Sequence, residues 1–347
     1  MRKVSLKNLL YLALGLFLIG VLALRADVTD TLDNLSRIDL GLLFLILVLY
    51  MANTSVKALR WHTLLRGMGA KRAGFISVPI FLASLALNNS TPGKVGGEPV
   101  RAFFLREHTG TRLSLGAASI FAEKSLDMLT ILTASMVGLV YLFSSLGGGS
   151  VINLAVGIGL GGVVIIGVII LILNRAAMVK LVSLTGWFVS RIPEGRARSY
   201  GDRAVVRLKG SGERFNNALV RLRDDRRMAA AVLLLTAAIW LNEALRLYLV
   251  VAALPGDFHI PFIGAVAAIG VANVLGVILP YGVGNVLGGL SVLEFITGEE
   301  NLSYSASITA VATSIWLSIP LGLISLGYLK SRTGKVTSES GGKITGT

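Results

Sequence analysis

Residues 91–101 read Thr91-Pro92-Gly93-Lys94-Val95-Gly96-Gly97-Glu98-Pro99-Val100-Arg101 and lie between two strongly apolar segments. Proline and glycine break helices, and glycine lets a backbone approach a ligand closely. A second interruption, from Pro280 to Glu294, contains Gly288 and Gly289. Two interrupted segments in corresponding halves of a membrane protein indicate a transporter's substrate site. The alternative is that both are ordinary glycine-rich connecting loops.

The composition is that of a membrane protein. Of the 347 residues, 54% are hydrophobic and 15% are charged, whereas soluble domains are about 25% charged. Several uncharged apolar runs approach or exceed the ~18 residues that indicate a membrane span. We therefore predict an all-α polytopic membrane protein in which residues 1–330 form a single integral membrane domain.

The residue types limit the chemistry. The chain has no cysteine and three scattered histidines, which excludes disulfides, thiol catalysis and Cys-ligated zinc. It has no G-x-x-x-x-G-K-[ST], H-E-x-x-H or G-x-S-x-G sequence. We therefore predict no metal site, no cofactor and no enzymatic activity.

The formal net charge of +14 indicates interaction with lipid headgroups. The basic residues flank the apolar runs, where they set orientation and attract anionic lipid headgroups. We predict that the partners are membrane lipids, mainly with anionic headgroups, and not nucleic acid. The sequence is also compatible with a homodimer.

The distribution of charge predicts about six full spans and two re-entrant hairpins. The spans are Asn8–Leu24, Leu40–Ser55, Leu113–Leu146, Val151–Leu173, Ala229–Leu254 and Tyr304–Leu329. The hairpins begin with Phe75–Ser90 and Pro261–Leu279, and they enter from opposite faces; for Phe75–Ser90 the alternative is a simple span. The inner loops are basic and the outer loops acidic, which predicts a multi-pass protein of the cell membrane with both termini in the cytoplasm.

Residues 40–173 and 229–329 form two halves, and each contains a span, a hairpin and a span in that order. With hairpins on opposite faces, this predicts an inverted repeat. The joining segment, 174–228, is basic with apolar residues at helical spacing, which predicts an amphipathic helix on the inner membrane surface; the alternative is a solvated linker helix. Residues 331–347 are rich in Gly, Ser and Thr and predict a disordered cytoplasmic tail.

Three charges lie close together after the first hairpin. Glu123 and Asp127 are four residues apart and share a helix face, whereas Lys124 and Asp127 are spaced to form an ion pair. A charge inside a membrane costs about 2.5–3.5 kcal/mol on insertion scales, so each needs a partner or water. We predict a polar cavity wall; the alternative is an interfacial salt bridge.

Two further pairs are spaced three residues apart. Glu243 and Arg246, in mid-span, predict either a buried ion pair that fixes helix packing or a substrate contact. Glu98 and Arg101 predict a pair across the intervening proline, unless Arg101 holds a phosphate.

Lys94 is the best candidate for a headgroup contact, because exposed helix amides at a hairpin tip also favour anions. Glu294 corresponds to Glu98 in the second hairpin, and both are interpreted first as hairpin-stabilising acids and second as cation or headgroup contacts.

The residues predicted to contact substrate are Arg60, Lys94, Glu98, Arg101, Glu123, Lys124, Asp127, Glu243, Arg246 and Glu294. The predicted hairpin backbone includes Pro92, Gly93, Gly96, Gly97, Pro280, Gly288 and Gly289. Trp61, at the inner end of the second span, is predicted to be an interfacial anchor.

The stretch from Thr91 to Arg101, followed by Glu123-Lys124-x-x-Asp127 and preceded by Lys57-x-x-Arg60-Trp61, resembles the lysylphosphatidylglycerol synthase transmembrane-region family over about residues 5–330. The resemblance implies a flippase-like protein that moves a lipid headgroup across the bilayer. The predicted spans occupy most of the chain and leave no room for the aminoacyl-transferase domain of larger family members. We therefore do not expect the lysyl-lipid synthase activity of those members.

The second motif departs from the family pattern Pro-Gly-Gly-x-Gly-x-x-Glu. Leu287 replaces its proline and Ser291 its third glycine, and the last span has Thr313-Ser314 where relatives often carry an arginine. We therefore expect a shift in headgroup preference.

The sequence as a whole predicts a lipid flippase or scramblase for a phospholipid, an aminoacylated lipid or a polyprenyl-phosphate-linked lipid. One alternative is a secondary transporter of a small solute, coupled to protons through Glu123 or Glu243. Another is a membrane enzyme that acts on a lipid-linked donor with Glu123 and Asp127 as acid and base. A third is a non-catalytic scaffold.

Overall fold

A computed structural model describes residues 28–70, 73–91, 96–146, 217, 220–221, 224–279 and 282–341. The predicted spans Asn8–Leu24 and Val151–Leu173 lie outside these residues, as does nearly all of the predicted amphipathic segment. Pro92, Gly93, Lys94 and Pro280 lie outside them too.

The described part of the chain is helical throughout and contains no strand. The helices are α1 (Val28–Ser36), α2 (Leu40–Gly67), α3 (Ser77–Asn89), α4 (Gly97–Thr109), α5 (Leu113–Leu146), α6 (Arg226–Ala253), α7 (Phe262–Ile278), α8 (Val283–Thr297), α9 (Glu300–Val311) and α10 (Leu317–Gly341). A π-helical turn, Ala312–Trp316, joins α9 to α10.

Four of the described helical stretches are long and apolar enough to cross a membrane: Leu40–Gly67, Leu113–Leu142, Arg226–Ala253 and Glu300–Arg332. The first has 28 residues, or ~42 Å at 1.5 Å per residue, which exceeds the ~30 Å hydrocarbon core. The prediction of an all-α polytopic membrane protein is thus confirmed, and four of its six spans fall on these helices.

Three further apolar helices, α3, α7 and α8, are short, and each packs against a helix adjacent to it in sequence. Helices α3 and α4 have 13 residues each, or ~20 Å, which is less than the hydrocarbon core. They pack against each other and form hairpin 1; α7 packs against α8 and forms hairpin 2.

Close backbone contact within each hairpin requires glycine. A Cβ atom on Gly97 would lie 2.0 Å from the carbonyl oxygen of Ser84, and one on Gly284 would lie 2.1 Å from that of Leu275. No side chain fits at such distances, so the two helices of each hairpin approach through their backbones.

The long helices pack across the two halves of the chain. Helix α2 lies against α6, α5 lies against α7 of hairpin 2, and α10 lies against α3 of hairpin 1. Each hairpin is therefore held by a long helix from the other half, and the two halves together enclose the space between them.

Two predicted boundaries differ from the structure. Helix α2 does not end at Ser55 but continues to Gly67, because its last turns bury Trp61 and Leu65 completely. Helix α10 continues to Gly341, where the composition predicts a disordered tail from residue 331. Adding a residue to an existing helix gains a hydrogen bond without a new nucleation cost.

The π-helical turn has a local cause. Pro320 lies inside α10 and has no N–H to donate to the carbonyl one turn earlier, which belongs to Trp316. The backbone hydrogen bonds change from the α-helical to the π-helical pattern over Ala312–Trp316. Turns of this kind are frequent at functional sites.

Replacing Gly284 with alanine should destabilise the protein by about 1–3 kcal/mol, the usual cost of overpacking, since its Cβ would overlap the backbone of Leu275. Gly74→Ala is the matched control, because a Cβ there meets no atom within 4 Å. Thermal unfolding in detergent measures both. Equal melting temperatures for the two variants would contradict the close packing of hairpin 2.

Candidate functional site

A cavity of about 310 Å³ lies among the long helices and both hairpins. This volume is at the lower end of the range of about 300–1,000 Å³ for ligand pockets. Its charged lining residues are Lys57, Arg60, Arg101, Glu123, Lys124, Asp127, Glu243 and Arg246. Most of the remaining lining is apolar, apart from several amides and hydroxyls.

The charged lining residues form what we call the charged wall of the cavity. Arg60 of α2 is at its centre, with only 1% of its side chain exposed. Its Nη1 and Nη2 donate to the two carboxylate oxygens of Asp127 at 2.7 and 3.0 Å. Nη2 also donates to Glu123 Oε1 at 3.4 Å, and Nη1 donates to Thr236 Oγ1 at 3.2 Å. The planar fork of arginine suits such two-oxygen contacts, so Arg60 links α2 to α5 and α6.

Arg101 of hairpin 1 is equally buried. Its Nη2 donates to Glu98 Oε2 at 2.7 Å, and its Nη1 lies 2.9 Å from Glu123 Oε2. The guanidinium also lies over the rings of Trp61 and Phe81, 4.9 and 5.4 Å from their centroids. Glu123 is therefore shared by two arginines on different elements.

Glu98 and Asn88 connect the two helices of hairpin 1. The Asn88 amide donates to Glu98 Oε1 at 2.8 Å, and its oxygen accepts from the Gly97 backbone N–H at 2.7 Å. Lys124 of α5 lies 3.1 Å from the same Oε1 atom. Asn88 at the end of α3 thus satisfies the first turn of α4, where helix N–H groups have no partner within the helix.

A second group of charges is centred on Glu243 of α6. Lys57 Nζ and Asn53 Nδ2 lie 2.6 and 2.8 Å from Glu243 Oε1. Arg246 Nη1 donates to Oε2 at 3.2 Å and lies over the ring of Tyr50, 5.1 Å from its centroid. This group joins α2 to α6.

Among the described residues, a second part of the cavity lining is uncharged. It is formed by neutral polar and small residues of hairpin 2, α9 and the π-helical turn: Asn273, Asn285, Gly289, Ser307 and Ser314. The Ser307 hydroxyl is buried and has no hydrogen-bond partner among the described residues. Buried hydroxyls are normally hydrogen-bonded, so Ser307 is an unsatisfied polar group beside the cavity.

The charged wall carries a surplus of positive charge. Among the described residues, five basic side chains and four carboxylates form the network. Since the low dielectric of such a site strengthens electrostatic interactions, the surplus favours an anionic guest.

The structure brings most of the predicted contact residues together. Eight of the ten lie in the network: Arg60, Glu98, Arg101, Glu123, Lys124, Asp127, Glu243 and Arg246. The predicted pairs Glu98–Arg101 and Glu243–Arg246 are both present. Lys94 lies outside the described residues.

Three predictions about individual side chains are wrong. Lys124 is salt-bridged to Glu98 and not to Asp127, because hairpin 1 packs against α5 beside it. Trp61 is not an interfacial anchor but is fully buried, and it donates to Ser119 Oγ at 3.1 Å. Glu294 is exposed and does not line the cavity.

Glu294 does not line the cavity because of its position in the second hairpin. Glu98 is in the first turn of α4, at the closed end of hairpin 1, whereas Glu294 is near the C-terminal end of α8. Glu98 directly follows its glycine pair, whereas Glu294 comes five residues after Gly289, so the two acids lie at opposite ends of their helices.

The glycines predicted for the hairpin backbone lie at close contacts. The Gly96 N–H donates to Thr91 Oγ1 at 3.0 Å. A Cβ on Gly288 would lie 2.6 Å from Ala272 Cα, and one on Gly289 would lie 2.9 Å from Ser307 Oγ.

Sequence reasoning did not assign Tyr50, Asn53 and Lys57 to the site. With Arg60, they recur at intervals of three, four and three residues, which places them on one face of α2. A polar stripe of this kind in an apolar helix is the signal that identifies them. Trp240, whose Nε1 lies 3.3 Å from Asp127 Oδ1, has no comparable signal.

Long apolar helices, paired short helices and a buried ion network around a cavity define a polytopic membrane protein with a polar site inside the helical bundle. The chain belongs to the family described as the lysylphosphatidylglycerol synthase TM region, whose profile matches residues 8–326. The resemblance noted in the sequence is thus confirmed.

Individual relatives support the same assignment. The chain is 26% identical to a UPF0104 membrane protein of Pyrococcus horikoshii, over 96% of this chain and 100% of that protein. It is 24% identical to a UPF0104 membrane protein of Methanothermobacter thermautotrophicus, over 91% and 95%. It is also 26% identical to the glycosyltransferase AglD of Haloferax volcanii, over 88% of this chain but only 50% of that protein.

Replacing Arg60 with methionine should lower stability by about 3–5 kcal/mol, because it leaves Asp127 and Glu123 short of a buried partner. Arg37→Met is the control: Arg37 pairs with Asp33 at 2.9 Å, but its side chain is 66% exposed, and such pairs contribute at most about 1 kcal/mol. Thermal unfolding of both variants in the same detergent measures the difference. Similar losses would contradict a central role for Arg60.

Proposed function

We propose that this protein translocates a lipid with an anionic headgroup across the membrane, in the manner of a flippase or scramblase. The observation that carries the proposal is the cationic ion network lining a cavity inside an otherwise apolar helical bundle. Candidate substrates are a phospholipid, an aminoacylated lipid and a polyprenyl-phosphate-linked lipid. The headgroup enters the cavity while the acyl or prenyl chains stay in the bilayer.

The size and lining of the cavity support this division of the substrate. A volume of about 310 Å³ suits one headgroup and not a pair of long chains. Charged groups within a membrane domain are expensive and typically mark a substrate or ion pathway. The five basic and four acidic side chains of the described network therefore support a route for a charged headgroup.

The helix packing supports an inverted repeat. Each hairpin lies against a long helix of the other half, and α2 lies against α6, which are the contacts expected of two halves related by an axis in the membrane plane. Sites in such transporters lie near the midplane, at the interface of the repeats. We place the protein in the cell membrane with both termini in the cytoplasm, as the basic inner loops predict.

The relative named as a glycosyltransferase supports keeping sugar-bearing lipids among the candidates. We propose transport and not catalysis for this chain. Formation of a modified lipid in detergent, where no bilayer exists to cross, would contradict that choice and support the enzyme alternative. Uptake of a solute driven by a pH gradient would support a proton-coupled transporter.

A reconstitution assay tests the proposed function. Proteoliposomes carrying fluorescent phosphatidylglycerol are treated with a membrane-impermeant quencher, and wild type is expected to expose inner-leaflet lipid that empty liposomes protect. Glu123→Gln should slow this exposure by about tenfold or more, since it weakens contacts to both Arg60 and Arg101.

Glu299→Gln is the control, because Glu299 is exposed and lies outside the cavity. Both variants must first show comparable yields and melting curves. Wild-type proteoliposomes that protect phosphatidylglycerol, lysyl-phosphatidylglycerol and a polyprenyl-phosphate-linked lipid as fully as empty liposomes do would overturn the proposed function.

A further inference from the structure

Two groups of four side chains in and beside the cavity have the same composition and connectivity. The hairpin module consists of Asn88, Glu98, Arg101 and Lys124. The span module consists of Asn53, Lys57, Glu243 and Arg246. In each, a glutamate pairs with the arginine three residues later, and both a lysine and an asparagine reach the glutamate from other helices.

The contacts match at the two oxygens of each glutamate. In both modules the arginine donates to Oε2 of the glutamate, at 2.7 Å from Arg101 and 3.2 Å from Arg246. The lysine lies near Oε1, at 3.1 Å for Lys124 and 2.6 Å for Lys57. The asparagine donates to that same Oε1 at 2.8 Å in both.

The resemblance between the modules is not a product of chain duplication. The hairpin module has its glutamate in the first turn of the short helix α4, whereas the span module has its glutamate in the middle of the long helix α6. A short hairpin helix and a long helix therefore carry the same set of interacting side chains, which indicates a shared requirement of the cavity.

Within each module the arginine is fixed and the lysine is accessible. The side chains of Arg101 and Arg246 are 1% and 4% exposed, and both guanidiniums lie over aromatic rings. The side chains of Lys124 and Lys57 are 35% and 24% exposed, and both line the cavity. The lysine is therefore the part of each module that a guest reaches.

Each glutamate can release its lysine without losing all its partners. When Lys124 turns towards a guest, Glu98 keeps Arg101 and the Asn88 amide. When Lys57 does so, Glu243 keeps Arg246 and the Asn53 amide. This avoids the large cost of a buried charge without a partner, so a lysine can exchange its carboxylate for an incoming anion.

We propose that Lys57 and Lys124 are two phosphate-binding stations on one cavity, each held ready by its glutamate–arginine–asparagine group. The lysine ammonium is a compact point charge on a flexible stem, which suits transient phosphate contact. This inference rests on the proposed function: a headgroup phosphate passes from one station to the other as the lipid crosses. Arg101, which the sequence offered as a phosphate ligand, acts here as a positioning residue.

The test is the stoichiometry of phosphate binding. Inorganic phosphate is titrated calorimetrically into the purified full-length protein in detergent, and wild type should bind two equivalents. Lys57→Met and Lys124→Met should each bind one, and the double variant none, with affinity at the lost station reduced about tenfold or more. Lys330→Met is the control, because Lys330 is exposed and does not line the cavity.

Melting curves separate a lost contact from a lost fold. The lysine variants should melt close to wild type, because each glutamate keeps its arginine, and any variant that melts early is replaced by Lys→Gln at the same position. A single equivalent in wild type, or unchanged stoichiometry in the folded lysine variants, would overturn the two stations.

A competition experiment distinguishes binding of a lipid headgroup phosphate from binding of free inorganic phosphate. Short-chain phosphatidylglycerol, added as a soluble monomer, should displace inorganic phosphate from both stations if they receive lipid headgroups. Phosphate binding that this lipid does not displace would leave the stations in place but assign them to a soluble anion. That result would contradict the lipid substrate of the proposed function and not the stations.

Discussion

The pairing of charges that have been removed from water is the constraint on which the rest of this structure depends. Arg60 and Arg101 are almost completely buried, and both reach Glu123. A buried charge without a partner costs several kcal/mol, so α2, α4 and α5 must keep the register that lets both arginines reach one carboxylate. The positions of hairpin 1 and the long helices around it follow from that requirement.

Backbone contact through glycine makes this register attainable. Hairpin 1 closes because Gly97 lets α4 approach the backbone of α3 near Ser84, and this brings Glu98 within reach of Asn88 and Lys124. A larger residue would push the helices apart and move the carboxylate away from its partners. The glycine-rich segment therefore has a structural role that precedes any contact with substrate.

The cavity lining is of two kinds, and this difference bears on the guest that fits it. One wall presents accessible lysines within an ion network, and another presents amides and hydroxyls such as Asn273 and Ser307. A phosphate suits the first wall and an uncharged hydroxylated group suits the second. In the proposed function, the exposed apolar surface of the long helices lets the acyl or prenyl chains stay in lipid.

The class of protein, four of the spans, the places where helices break and most of the charged site could be predicted from the sequence, because these follow from local composition and spacing. The sequence did not determine which charges meet. Lys124 pairs with Glu98 across two helices, Trp61 lies under an arginine, and Glu294 faces away from the cavity. These outcomes depend on how distant helices pack, since a periodic pattern specifies a face of each helix but not its neighbour.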